Sequence, residues 1–349
     1  MNQILTFQPN RVRRIYRGGL LLDQWAGIEN PHDDQYPEEW MASVVDAVNK
    51  DRDPIPNEGL SITKEGHLLR KLICENPTGM LGAGHVEKYG PSMGVLMKVL
   101  DAGERLCIQV HPDKAAAEKL FHSPFGKTEA WYILDVRRDV PANIYVGFRG
   151  KVSPDKWKHL FETQDVQGML NCLNCVPVKP GDVFLIRGGV PHAIGAGCLL
   201  AEIQEPTDIT IRMEKTMASS GKVPDIMCHN GLGFEKMFDC FDYTPGWEHC
   251  RISPTMLEDN ENYTMRELIS YQDTDAFSMQ EIRVYKRWQT AQADRFCLLV
   301  VLSGSGTLCA GEQQIPLKQS DYLFVPAECA GISVTAGTET RLLRCFPPR

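Results

Sequence analysis

Gln109 and His111 are two positions apart, so on an extended strand an amide and an imidazole face the same way. Both are ligand types for a divalent metal. Lys127 and Glu129, in Gly126-Lys127-Thr128-Glu129, repeat the spacing with an ammonium and a carboxylate. His192 follows a Gly188-Gly189 turn, where a strand should begin. Taken singly, a histidine after a turn or a glutamine on a strand is ordinary structural material. Together, Gln109, His111, Glu129 and His192 make a zinc-type ligand set with room for a substrate oxygen.

A second group follows. Glu202, Gln204, Asp208, Thr210 and Arg212 occupy the even positions of Glu202 to Arg212, with Pro206 the exception, and the odd positions are mostly apolar. If this stretch is one strand, one face carries acids, an amide and a guanidinium. Such a face commonly meets water. Directly after a metal-type histidine, it reads as the lining of a polar cavity. Lys98 inside the apolar run Gly94 to Leu100 needs something polar to face, or must snorkel.

The elements that must hold these residues are mostly short strands bounded by Gly, Pro and Asp. They are expected at Gly94 to Leu100, Arg105 to His111, Glu129 to Asp135, Asp182 to Ile186 and Leu199 to Arg212, and again at Cys297 to Leu302, Gly306 to Cys309, Tyr322 to Val325 and Arg341 to Phe346. Helices are expected at Asp113 to Phe121, behind an N-cap aspartate, and from Asp155 to Leu170 behind Ser153-Pro154. The polar stretch Glu248 to Asp275 reads as a linker. Gly181 to Ile186 resembles Ser320 to Val325, a weak internal repeat pointing to two copies of one barrel. The first copy continues to His192; the second, through Pro326 to Gly331, has no histidine, so chemistry belongs to the first.

Composition excludes several classes. The 349 residues carry 37 Lys+Arg against 45 Asp+Glu, a net charge of −8, with no basic block, which argues against a nucleic-acid partner. Arg11, Arg13, Arg14 and Arg17 read as a short solvated segment. Apolar runs reach about six residues where a membrane span needs about 20, so no membrane partner is expected, and no secretory leader is visible. The 12 cysteines are scattered, with one CxxC at Cys172 and Cys175, which suits reduced thiols in a cytoplasm.

Gly103-x5-Gln109-x-His111 and the stretch from Gly181 through Gly189 to His192 resemble the two cupin motifs, with Gln109 in place of the first histidine and Arg187 in place of a proline. Gln109 to Asp113, Gly126 to Glu129, Val190 to Ile194, Asp208 to Arg212 and the Glu-x-Trp of Tyr36 to Met41 are similar to type I phosphomannose isomerase in its short bacterial form. The resemblance runs from about Arg13 to Arg212 and, more loosely, through the last quarter. It implies a mainly β fold of two cupin-type (jelly-roll) barrels with a few helices: a metal-bearing catalytic domain at 1–247 and a metal-free domain at 248–349. It implies one zinc on Gln109, His111, Glu129 and His192, with Lys127, Glu202, Asp208 and Arg212 around a sugar and Lys98 near its phosphate. The activity implied is aldose–ketose isomerisation of mannose 6-phosphate and fructose 6-phosphate through an enediol, by a monomer or homodimer. Glu202, Asp208 and a metal-bound water are all candidates for the base. Cys107 stands where the family commonly has a phosphate-contacting serine, and Ile211 where it often has tyrosine. Asn30 to Gln35 and Asp46 to Asn57 look peculiar to this chain. Two other readings stay open: an isomerase of another, unphosphorylated sugar, and a non-catalytic sugar-binding cupin.

Overall fold

The computed structural model describes residues 3–217, 219, 221–291 and 294–349. Strands dominate it, paired antiparallel. In the N-terminal part a seven-stranded sheet runs in the order Arg251–Ile252, Val183–Ile186, Glu129–Val136, Cys198–Gln204, Leu96–Ala102, Glu38–Met41 and Arg11–Val12. It faces a five-stranded sheet ordered Ile211–Arg212, Gln109–Val110, His192–Ile194, Asn143–Phe148 and Leu173–Pro177. Leu100, Trp131, Ile133, Val146, Phe184 and Ile194 fill the space between them. The C-terminal part repeats the plan. There a seven-stranded sheet lies against a four-stranded one, with Ile282, Leu299, Val301, Leu308 and Val334 between.

The two seven-stranded sheets also pack on each other. Met97, Val99, Tyr132 and Ile203 meet Phe277, Met279, Val300, Phe324 and Leu343 in one core. Leu96–Ala102 and Glu129–Val136 are therefore covered on both faces. Their sequences read as apolar runs rather than alternating strands for that reason. Short pairs cross the expected division at 247/248 in both directions: Leu5 pairs with Phe324, and Arg251 pairs with Phe184.

The internal repeat has a structural counterpart. Asp182 and Asp321 accept from the amides of Lys179 and Lys318 at 3.0 and 2.9 Å. Their carbonyls accept from Ile133 and Val301 at 3.0 and 2.8 Å. Carried along this frame, Glu129 corresponds to Cys297 and His192 to Gly331. The second copy thus has a buried thiol and a glycine where the first has a carboxylate and an imidazole.

Four expectations are corrected. The stretch Leu199 to Arg212 is not one strand: Cys198–Gln204 ends in a turn, and Ile211–Arg212 joins the other sheet. Pro206 has no amide for the ladder, and Gln204 Nε2 donates to the Thr207 carbonyl at 2.7 Å. The helix from Asp155 breaks into Pro154–Glu162 and Val166–Asn171, where Gln164 turns left-handed and Asp165 caps the second helix. The segment Glu248 to Asp275 is no linker; it holds the strands Thr255–Asp259 and Tyr263–Ile269, a hairpin whose solvent exposure explains its polarity. Arg14 is buried, not solvated.

A polar tie joins the two parts. Tyr132 donates to Glu281 Oε1 at 2.8 Å, and buried Glu281 also pairs with Arg341 at 2.6 Å and Arg266 at 2.5 Å. Burial opposes the charge, yet Arg341 and Arg266 hold the Glu281 carboxyl below the usual range. A carboxyl depressed on folding contributes stability that is complete above its unfolded pKa and lost as pH falls through the folded one. Glu281→Gln should therefore cost about 2 kcal/mol at pH 7, discounted for the partly exposed arginines. The gap to the parent should close as pH falls below about 4.5, the unfolded glutamate value. Urea midpoints across that range check it; a gap constant with pH would show the ion pairs to contribute nothing.

Candidate active site

Three segments of the N-terminal part converge on the backbone of Asp113. Gly126 packs so closely that a Cβ there would sit 2.9 Å from Asp113 C, and at Gly188 it would sit 2.4 Å from Asp113 Cα. Lys127 N donates to the Pro112 carbonyl at 3.1 Å and Gly189 N to the His111 carbonyl at 2.7 Å. Only glycine permits both approaches, and they bring His111, Glu129 and His192 together.

Sheet register places the rest. Gln109 lies between His192 and Arg212 in the five-stranded sheet. In the facing sheet Glu202 pairs with Lys98, and Gln204 with Glu129. The ligand atoms of His111, Glu129 and His192 all lie within 4.8 Å of one another. Each imidazole Nε2 is 3.2 Å from a Glu129 oxygen. His111 Nδ1 lies 2.9 Å from the Ile209 carbonyl, and His192 Nδ1 lies 2.9 Å from that of Val190. These carbonyls take the Nδ1 protons, so both Nε2 lone pairs point at one spot. Burial, then Lys127, pushes His111 down to about 3, which keeps it neutral as a ligand must be. Gln109 Nε2 stands 3.2 Å from His192 Nε2, and a half-turn of the amide presents its oxygen instead. Two imidazoles, a carboxylate and an amide oxygen suit a zinc-type ion. Lys127 Nζ closes the group at 2.8 Å from His111 Nε2 and 2.6 Å from Glu129 Oε2.

A cleft opens beside this centre. Lys98, Cys107, Gln109, Lys127, Glu202, Asp208 and Arg212 all line it. Asp208 therefore reaches the cleft from a loop, and Arg212 from the sheet opposite Glu202, not from one strand face. Lys98 Nζ is held between Glu202 at 3.1 Å and Glu38 at 3.7 Å, so carboxylates already neutralise the lysine expected at the phosphate. Burial, then Glu129, raises Glu202 to about 7. Cys107 is pushed up to about 12 by burial and Glu214, so it is a thiol and a weak donor. Arg212 Nη1 donates to the Met227 carbonyl at 3.1 Å.

The sequence reading missed one wall. Arg14 bridges Glu38 at 3.1 Å and Asp208 at 3.1 Å, and lies 4.9 Å over the Trp40 ring. Tyr16 and Trp40 donate to Glu38 at 2.9 and 2.7 Å. The spacing of Arg14 and Tyr16 was the available signal, since both share a face with apolar Val12. Val48 N donates to Asp208 Oδ2 at 3.0 Å, so the segment Asp46 to Asn57 covers the cleft. Cys172 and Cys175 are elsewhere and unpaired, at a helix end and on an outer strand.

Comparison with known proteins places the chain among relatives of one family. Residues 17–132 match the family model "Phosphomannose isomerase type I, catalytic domain", and residues 267–347 match "Mannose-6-phosphate isomerase, cupin domain". A mannose-6-phosphate isomerase of Streptococcus mutans is 29% identical over 282 residues, covering 78% of this chain and 79% of its own. The crystal structure of the Bacillus subtilis mannose 6-phosphate isomerase superposes with a TM-score of 0.77 at 24% identity, over 98% of this chain and 99% of its own. A mannose 6-phosphate isomerase structure bound with zinc and yttrium gives 0.74 at 18% identity, over 99% and 100%. The chain belongs to the type I phosphomannose isomerase family of enzymes.

Proposed function

We propose that this chain interconverts mannose 6-phosphate and fructose 6-phosphate through an enediol, with one zinc held by Gln109, His111, Glu129 and His192. The observation that carries the reading is the three converging donors, His111, Glu129 and His192, at the end of a cleft lined by Lys127, Glu202, Asp208 and Arg212. When bound, zinc supplies Lewis-acid stabilisation to the O1/O2 oxygens of the sugar. Arg212, beside Gln109, adds a fixed positive charge close to the same oxygens. Lys127 sits within reach of the ring oxygen's place, to assist opening. Glu202 is the carboxylate poised near neutrality, so it is our choice to move the proton between C1 and C2. Asp208 stays ionised on Arg14 and the Val48 amide and orients sugar hydroxyls; burial opposes its charge and Arg14 restores it. Residues 1–247 carry this chemistry, and 248–349 brace the catalytic sheet. Scattered cysteines, with a single CxxC, suit a cytoplasmic enzyme.

A coupled assay of mannose 6-phosphate turnover, before and after chelation and with zinc restored, tests this reading. Activity should vanish with the chelator and return with zinc. Turnover indifferent to both, or confined to unphosphorylated sugars, would overturn it.

A further inference from the structure

The cleft's charges are nearly all spent on each other. Arg14, Lys98 and Lys127 each face a carboxylate within 3.1 Å: Glu38 and Asp208, Glu202, and Glu129. With Arg212, four cationic side chains stand against four carboxyl groups in the cleft and at its metal-ligand end. A phosphate needs a cation that is not already spent. Arg212 has a carbonyl, Met227 O, as its hydrogen-bond partner, and that partner is uncharged. Above it, the segment 46–57 closes over the mouth: Val48 N sits on Asp208, Asn49 lines the cleft, and exposed Lys50 places its Nζ on Asn230 Oδ1. Asn230 ends the short helix Asp225–His229 that also supplies the Met227 carbonyl to Arg212. Two cations thus reach one short helix, Arg212 at Met227 and Lys50 at the end residue Asn230, and these hydrogen bonds go to neutral oxygens.

We propose that Lys50 is the phosphate-recognising residue of this chain, working with Arg212 at the cleft mouth. The proposal rests on the mannose 6-phosphate reading above and names the residue that gives it specificity. A neutral amide partner is easily exchanged for a phosphate oxygen, which makes a charge-assisted bond. Lys50's ammonium is held below the usual lysine range by partial burial of its head group and then by the Arg212 guanidinium, as expected for two cations brought together; Asp208 offsets this in part but is engaged by Arg14. The assignment also accounts for Cys107: a site that takes its phosphate contact from a loop lysine has less need of a hydroxyl there.

The test compares parent, Lys50→Gln and Lys50→Arg on mannose 6-phosphate and on free mannose, with calorimetric titration of inorganic phosphate as a second probe. In Lys50→Gln the ratio of kcat/KM for mannose 6-phosphate over mannose should fall about tenfold, through KM, and phosphate affinity should fall with it. Lys50→Arg should restore most of both. An unchanged ratio in Lys50→Gln, with the parent active, overturns the assignment and leaves the mannose 6-phosphate reading standing. A parent that binds phosphate through Lys50 but does not isomerise mannose 6-phosphate has the opposite meaning.

Discussion

His192→Ala is expected to lose its zinc and at least about 10³-fold in turnover while keeping its fold. The size follows from the several kcal/mol of charge stabilisation a bound metal supplies, at 1.36 kcal/mol per tenfold. His192 is fully buried, but its role in the core is small: its ring meets Trp131 at 5.4 Å and His111 at 4.9 Å, and its Nδ1 bonds a carbonyl two residues away. Removing it leaves Glu129 and His111, which still have Lys127 as a partner. The apo site is therefore electrostatically tolerable, and the variant should fold. Elemental analysis should read one zinc per parent chain and near zero per variant, with unchanged circular dichroism. Stoichiometric zinc in the variant would remove His192 from the ligand set. The second copy, with Cys297 and Gly331 at the corresponding places, should add no metal to the parent's count.

How much of this centre was legible in the sequence depended on distance along the chain. Gln109/His111 and Lys127/Glu129 are each two apart on extended backbone, so their shared direction follows from strand geometry alone. The helix behind Asp113 was equally local, its side chain accepting from Ala116 N at 2.7 Å. Arg14 was not legible, because its partner Asp208 is 194 residues away and a run of arginines looks the same whether water or carboxylates meet it. The structure does bring Glu202, Asp208, Thr210 and Arg212 of the alternating stretch to one cleft, but not as one strand face. Asp208 and Arg212 reach the cleft because Pro206 and the Gln204 side chain end the strand and send the chain across to the other sheet. Lys98 shows the same limit from the other side. A lysine in an apolar run had to face something polar, but only the paired strands reveal the two carboxylates it meets.

Arg212→Ala should lower kcat by about 10²–10³ and leave zinc content unchanged, the range for losing one preorganised charge donor. Guanidinium is not a metal ligand, and Arg212 is joined to the centre through the neighbouring backbone of Gln109. The structural cost should be small, because the change leaves one carbonyl, Met227 O, without its partner. That costs about 1 kcal/mol and can be checked by urea unfolding. Arg212→Lys should recover only part of the rate, since an ammonium lacks the planar fork. The division between kcat and KM separates two roles. If Arg212 stabilises charge on O1 and O2, kcat falls for phosphorylated and free mannose alike. If it serves the phosphate alone, the loss lies in KM and disappears with free mannose, while Lys50→Gln reproduces part of it. Turnover within a few-fold of the parent on both sugars would mean that the cation beside Gln109 faces no developing charge, and the placement of the reacting carbons between Arg212 and Glu202 would have to be abandoned.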